Sequence, residues 1–140
     1  MLLLFFLFGL NTALASGLTD LSGKPVDLSN YRGKWVLINF WATWCPPCIE
    51  EIPVLEKLYE EKKLVVIGIA VSYQRPSEVT DFVKKNPIPY PVVMGDEGAV
   101  EAFGDIDTLP TSLIYSPDGR LAGRYQGPLS EKELLSFIQG

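Results

Sequence analysis

The sequence contains no histidine and only two cysteines among its 140 residues. Without histidine, the chain has no Ser-His or Cys-His catalytic pair and no site that requires an imidazole. Two thiolates alone do not complete a tetrahedral zinc site. The composition therefore excludes the histidine-dependent hydrolases, and the two cysteines become the main candidates for chemistry.

Positive charge is also scarce, because 12 Lys and Arg stand against 17 Asp and Glu, for a net charge of -5. A nucleic-acid-binding protein needs a basic patch that neutralises phosphates. The basic clusters here are the pairs Lys62-Lys63 and Lys84-Lys85, which we interpret as the solvated ends of helices. We therefore expect no nucleic-acid partner, and an anionic membrane surface is disfavoured for the same reason.

Long apolar runs are confined to the N-terminus, where residues 2–10 carry no charge. A small-x-small pattern follows at Ala13-Leu14-Ala15, which is typical of a signal-peptide cleavage site, although no Lys or Arg precedes the apolar run. We predict a signal peptide over residues 1–15. The alternative is an uncleaved membrane anchor, but a helix of this length spans roughly 21 Å, short of the ~30 Å hydrocarbon core.

The remaining residues, 16–140, are predicted to form one domain of the α/β class. Short apolar runs rich in β-formers alternate with helical patterns, which favours a parallel sheet covered by helices. A hairpin is expected near the N-terminus, within Leu18–Leu28, and another near the C-terminus, around the turn at 116–120. The predicted strands are 35–41, 64–71, 91–94, 111–115 and 121–125, and the predicted helical segments begin at Pro46, Pro76, Ala99 and Ser130.

A Cys-x-x-Cys motif, Cys45-Pro46-Pro47-Cys48, lies between a predicted buried strand and a predicted helix. This context is typical of a thioredoxin-like redox motif. The helix dipole favours the thiolate of Cys45, and Cys48 lies one turn later on the same face. We predict that Cys45 attacks a partner disulfide and Cys48 resolves the mixed disulfide, without a further cofactor. The two prolines and the adjacent Trp44 are predicted to bind the substrate.

The residues around the motif favour a reductant. Pro46 and Pro47 remove two N–H groups that could solvate the Cys45 sulfur. Glu50 and Glu51 add negative charge, which disfavours the thiolate on which strong oxidants depend. Two alternatives remain open at this point: a disulfide oxidase or isomerase, and a Cu(I) carrier that holds the metal between its two thiolates.

Two segments together resemble the TlpA/ResA-type family of exported thioredoxin-like proteins. The first runs from Val36 to Cys48 and continues with Glu51-Ile52-Pro53, and the second is Leu109-Pro110-Thr111 followed by residues 113–119. The resemblance extends over nearly all of Leu18 to Ile138. It implies a thioredoxin-like α/β fold, with a central mixed β-sheet flanked by helices and an N-terminal β-hairpin extension.

The resemblance also implies roles for individual residues. Pro110 would be the cis-proline that faces the two cysteines, and Leu109 would present its backbone to the bound partner. Glu51 would be the acidic residue beside the active site. Asn39 stands where cytoplasmic-type thioredoxins carry a buried Asp, so that proton handling would fall to Glu51. From the residues alone, Glu51 is equally well explained as a solvated residue in an early helical turn.

Members of this family commonly reduce disulfides in the cell envelope, including the haem-attachment sites of apocytochrome c, and are re-reduced by a membrane electron-transfer protein. The resemblance therefore implies an exported protein, in the periplasm or on the outer face of the cytoplasmic membrane. Its expected partners are disulfide-containing client proteins, with apocytochrome c as one candidate, and a membrane thiol electron donor. We expect the chain to act as a monomer, with no metal bound.

Overall fold

The computed structural model of the protein describes residues 17–139. The predicted signal peptide or anchor, residues 1–15, lies outside the described residues and stays a prediction. Within 17–139, none of the helices combines the length and apolar character needed to cross a membrane.

Residues 17–139 form a two-stranded sheet near the N-terminus, a five-stranded sheet and four α-helices. The strands are β1 Leu18–Thr19, β2 Pro25–Val26, β3 Val36–Trp41, β4 Val65–Ala70, β5 Val92–Met94, β6 Thr111–Tyr115 and β7 Leu121–Gln126. The helices are α1 Pro46–Glu60, α2 Pro76–Lys85, α3 Glu97–Glu101 and α4 Glu131–Ile138, with a short 3-10 helix at Leu28–Tyr31.

The larger sheet has the strand order β5-β4-β3-β6-β7. Strands β3, β4 and β5 are parallel, whereas β6 and β7 run antiparallel to their neighbours. This confirms the predicted mixed sheet of a thioredoxin-like fold. All six residues of β3 are buried, as expected for a central strand covered on both faces. Because β3 leads directly into the cysteine motif, the reactive centre lies at the end of the most buried strand.

The N-terminal extension is the expected β-hairpin, in which Leu18 pairs with Val26. The carboxylate of Asp20 stabilises its turn by accepting hydrogen bonds from the backbone N–H groups of Ser22 and Lys24, both at 2.9 Å. The Leu18 and Val26 side chains are buried in the same core cluster as residues of β3, β4 and β5. The hairpin is thus packed onto the sheet by apolar contacts.

Trp41 is a core residue, as predicted, with 2% of its surface exposed. Its ring packs against Phe82 of α2, with ring centroids 5.4 Å apart. Gly68 on β4 leaves room for the indole, since a Cβ there would lie 3.1 Å from Trp41 Nε1. Trp35, which precedes β3, is half-buried and packs against the core cluster that contains Leu37, Leu55 and Leu58.

Two helix starts show how capping sets the boundaries. The capping box predicted at Ser130 is present, with reciprocal hydrogen bonds between Ser130 and Glu133. Helix α3 begins at Glu97, two residues before the predicted start at Ala99. The Asp96 side chain caps this helix by accepting a hydrogen bond from the Ala99 N–H at 2.7 Å.

Candidate active site

Cys45 and Cys48 form a disulfide at the start of α1, with their Cα atoms 5.3 Å apart. Cys45 is the extended N-cap residue of the helix, and its sulfur accepts a hydrogen bond from the Cys48 N–H at 3.3 Å. Pro46 and Pro47 occupy the first turn, where proline is tolerated because the N–H groups lack intrahelical partners. The N–H of Cys48 is therefore the first helical donor that can reach the Cys45 sulfur.

The two cysteines differ in their access to solvent. Cys45 keeps 4% of its surface exposed and lines a surface cleft, whereas Cys48 is completely buried and does not line it. Trp44 projects beside Cys45 with 61% of its surface exposed, and its Nε1 donates a 2.9 Å hydrogen bond to the Ser72 carbonyl. Of the two cysteines, only Cys45 is therefore accessible to a partner that enters the cleft.

The cleft has a volume of about 640 Å³ and brings together most of the predicted substrate-binding residues. These are Trp44, Pro46, Pro47 and Leu109, and the reactive Cys45 lines the same cleft. Pro110 is not among the lining residues and is buried. The peptide bond between Leu109 and Pro110 is cis, as the resemblance implies.

Glu51 lies on the buried face of α1, with only 3% of its surface exposed. It follows Cys48 by three residues, so both side chains lie on one face of the helix. Its Oε2 accepts a hydrogen bond from the Leu129 N–H at 2.6 Å, and its Oε1 accepts one from Asn39 Nδ2 at 2.7 Å. Burial raises the pKa of Glu51 from 4.5 to about 7, although both hydrogen bonds oppose the rise.

The pKa of Glu51 bears on the preference for a reductant, which the sequence attributes in part to a negative charge on Glu51 near the sulfur. With a pKa of about 7, its carboxyl is only partly ionised at neutral pH, so its electrostatic effect on the thiolate is smaller than expected. The alternative that Glu51 is solvated is wrong, because the side chain is buried against the sheet.

Sequence reasoning did not identify Ser112 and Leu129 as partners of this site. Asn39 Nδ2 also donates to Ser112 Oγ at 3.3 Å, which connects Glu51 to strand β6. Asn39 and Ser112 are directly opposite each other in the β3–β6 pair, and both side chains are buried. The only signal for this contact is the register of two antiparallel strands, which a single sequence does not define.

Comparisons with known proteins agree with this geometry. The AhpC/TSA family model matches residues 11–124. The thiol-disulfide oxidoreductase ResA of Halalkalibacterium halodurans is 36% identical over 126 residues, covering 87% of this chain and 70% of that protein. The ResA of Bacillus thuringiensis is 32% identical over 124 residues, covering 86% and 71%. The chain belongs to the AhpC/TSA family and is of the TlpA/ResA type.

A solved structure supports the same assignment for this TlpA/ResA-type protein. The thiol:disulfide interchange protein of Chlorobium tepidum superimposes with a TM-score of 0.78 at 32% identity, covering 89% of this chain and 92% of that one. These relatives and the cysteine pair at the start of α1 show that the protein is a thiol–disulfide oxidoreductase. Within residues 17–139, no group of three or more Cys, Asp or Glu side chains is arranged to hold a metal ion.

We predict that Asn39→Ala raises the pKa of Glu51 further in this TlpA/ResA-type site. Removing the amide takes away one of the two donors to a buried carboxylate and leaves an acceptor unsatisfied, which costs about 1–3 kcal/mol. The carboxyl pKa followed by NMR and the free energy of unfolding would measure both effects. A lower stability with an unchanged pKa would contradict the prediction, because it would show that Asn39 only fills space.

Proposed function

We propose that the protein is an exported reductant that transfers two electrons to disulfides of client proteins in the cell envelope. The observation that carries this proposal is the unequal access of the two sulfurs, with Cys45 at the cleft and Cys48 wholly buried. Such an arrangement suits an attacking cysteine and a resolving cysteine. Apocytochrome c is one candidate client, and a membrane thiol protein is the proposed electron donor.

The proposed reaction conserves atoms and electrons. The Cys45 thiolate attacks one sulfur of the client disulfide, forms a mixed disulfide and releases the first client thiolate. The Cys48 thiolate then attacks the Cys45 sulfur, which breaks the mixed disulfide and releases the second client thiolate. The client gains two electrons, and the protein ends with the Cys45–Cys48 disulfide seen in the structure.

Glu51 is proposed to take the proton that Cys48 must lose before it attacks. Its carboxyl is buried on the same helix face, and a pKa of about 7 lets it accept and release a proton at neutral pH. Trp44, Pro46, Pro47 and Leu109 are proposed to hold the client at the cleft. Pro110 is buried, so it is proposed to contribute through the cis peptide bond that joins it to Leu109 rather than through its ring.

The reductant direction rests on how few groups stabilise the Cys45 thiolate. The structure gives its sulfur one helical N–H donor, that of Cys48, because Pro46 and Pro47 have none. A weakly stabilised thiolate favours the oxidised form of the protein, and therefore the transfer of electrons to a client.

We expect a reduction potential near or below about −250 mV for the Cys45–Cys48 pair. Equilibration of the full chain with dithiothreitol couples, read out by alkylation of free thiols, would measure it. Pro47→Ala restores one backbone N–H beside the Cys45 sulfur and is expected to make the potential less negative. A value above about −180 mV for the unmodified chain would contradict the proposal and indicate an oxidase or isomerase.

A further inference from the structure

The cleft beside Cys45 carries a strongly asymmetric distribution of charge. Four carboxylates line it, and no Lys or Arg is among its lining residues. The apolar part of the lining is formed by side chains around the reactive sulfur, including Trp44, Val100, Ile106 and Leu109. The carboxylates belong to Asp96, Glu97, Glu101 and Asp107. An apolar groove with an acidic wall therefore leads to the reactive sulfur.

Two of these carboxylates have no structural partner in the described part of the chain. Asp96 caps α3, and Asp107 accepts a hydrogen bond from Gln126 Nε2 at 3.2 Å. Glu97 and Glu101 are exposed, and none of the salt bridges among residues 17–139 includes either of them. They are four residues apart on α3, so two like charges lie side by side, an arrangement that slightly destabilises a helix.

Nearby cations do not neutralise this wall. Arg124 donates hydrogen bonds to the backbone carbonyls of Phe103 and Asp105, and Arg75 lies 4.0 Å from the Glu78 carboxylate. Neither arginine lines the cleft. None of the residues that line the cleft therefore carries a positive charge that could compensate its carboxylates.

We propose that this cleft binds client segments in which Lys or Arg residues flank the disulfide to be reduced. The inference rests on the proposed function and adds the chemical class of its substrate. The disulfide of the client must approach Cys45, and its flanking residues then lie within the field of the acidic wall. A cleft of one charge sign focuses that field, raises the local concentration of oppositely charged partners and repels those of the same sign.

The same negative charge disfavours the binding of small acidic disulfides. Oxidised glutathione carries more carboxylates than amines and is repelled by the acidic wall, whereas a basic protein segment is attracted. The apolar lining adds contact area for a polypeptide that a small polar disulfide cannot fill. The cleft thus separates client proteins from a glutathione pool by charge and by shape.

Two disulfide peptides of equal length test this selectivity, one with Lys and the other with Glu on both sides of the same cyclised disulfide. Single-turnover reduction of each by the reduced full chain would be followed by acid quench at low salt and at high salt. We expect the Lys peptide to react at least about tenfold faster at low salt. The advantage should largely disappear near 0.5 M salt, because exposed charges are screened over a few ångströms there.

A matched pair of variants assigns the effect to the cleft. Glu97→Gln with Glu101→Gln is expected to reduce the ratio of the two rates by at least threefold. Glu60→Gln with Asp81→Asn changes the net charge by the same amount at exposed positions outside the cleft, and should keep the ratio of the unmodified chain. An equal loss in both double variants would overturn the inference, since net charge alone would then explain the selectivity.

The outcomes also separate this inference from the proposed function. Equal rates for the two peptides with the unmodified chain would overturn the charge selectivity and leave disulfide reduction intact. Reduction of neither peptide, at any salt concentration, would count against the proposed function itself.

Discussion

Replacing Cys48 with Ser is expected to stop catalytic turnover after one reaction, because the protein remains joined to its client by a mixed disulfide. In this variant Cys45 can still reach the client from the cleft, but the buried sulfur that would break the mixed disulfide is missing. Replacing Cys45 with Ser should reduce disulfide exchange to the uncatalysed background, because Cys48 has no exposed surface. These are the largest changes in activity that the structure leads us to expect.

Incubation of each variant with a disulfide client, followed by non-reducing electrophoresis and mass spectrometry, would distinguish the two cysteines. An adduct is expected for Cys48→Ser, attached at Cys45 and released by dithiothreitol. The Cys45→Ser protein is the matched control, since it also keeps one thiol. An adduct of comparable yield on Cys48 in this control would show that the two sulfurs are equally accessible, and would contradict their assigned roles.

The second large effect concerns stability and pH. In the folded protein, burial raises the pKa of Glu51 from 4.5 to about 7, so the neutral carboxyl is favoured. The corresponding stabilisation is fully present below pH 4.5, is lost as the pH rises through about 7, and amounts to about 3 kcal/mol. The Glu51→Gln variant has a neutral side chain at every pH, so its free energy of unfolding is expected not to show this decrease as the pH rises.

Urea unfolding at pH 5 and pH 8, with the disulfide intact, would measure the effect as a difference of differences between the unmodified chain and Glu51→Gln. Tyr90 is the other buried titratable side chain near Glu51, and burial raises its pKa, so it stays neutral over this range. Glu50→Gln, an exposed neighbour on the same helix, serves as the control and should keep the pH dependence of the unmodified chain. Identical pH dependence in Glu51→Gln would show that Glu51 is ionised throughout.

The reactive centre could be predicted from the sequence because its determinants are local. The motif, the prolines in the first turn of α1 and the preceding apolar strand all lie within a few residues of Cys45. Helix capping acts over three residues, so the capping box at Ser130 was equally visible. Helix α3 begins two residues before the start predicted from the sequence, because the Asp96 side chain caps it.

The environment of Glu51 could not be predicted in the same way. Its place on an early helical turn suggested a solvated side chain, yet the sheet and the segment before α4 enclose it. The bond from the Leu129 N–H joins residues that are 78 positions apart, and the Asn39–Ser112 bond joins residues 73 apart. Their meeting depends on the strand order and register of the whole sheet.

The amino-acid sequence alone determined the reactive cysteine pair, the thioredoxin-like class and the positions of most strands and helices, because hydrophobic periodicity and turn chemistry act over short stretches of chain. The tertiary structure decided which sulfur is accessible, how far the pKa of Glu51 rises, and that α3 carries Glu97 and Glu101 to the cleft beside Cys45. Burial and charge proximity depend on residues that are distant along the chain and meet only when the sheet has formed.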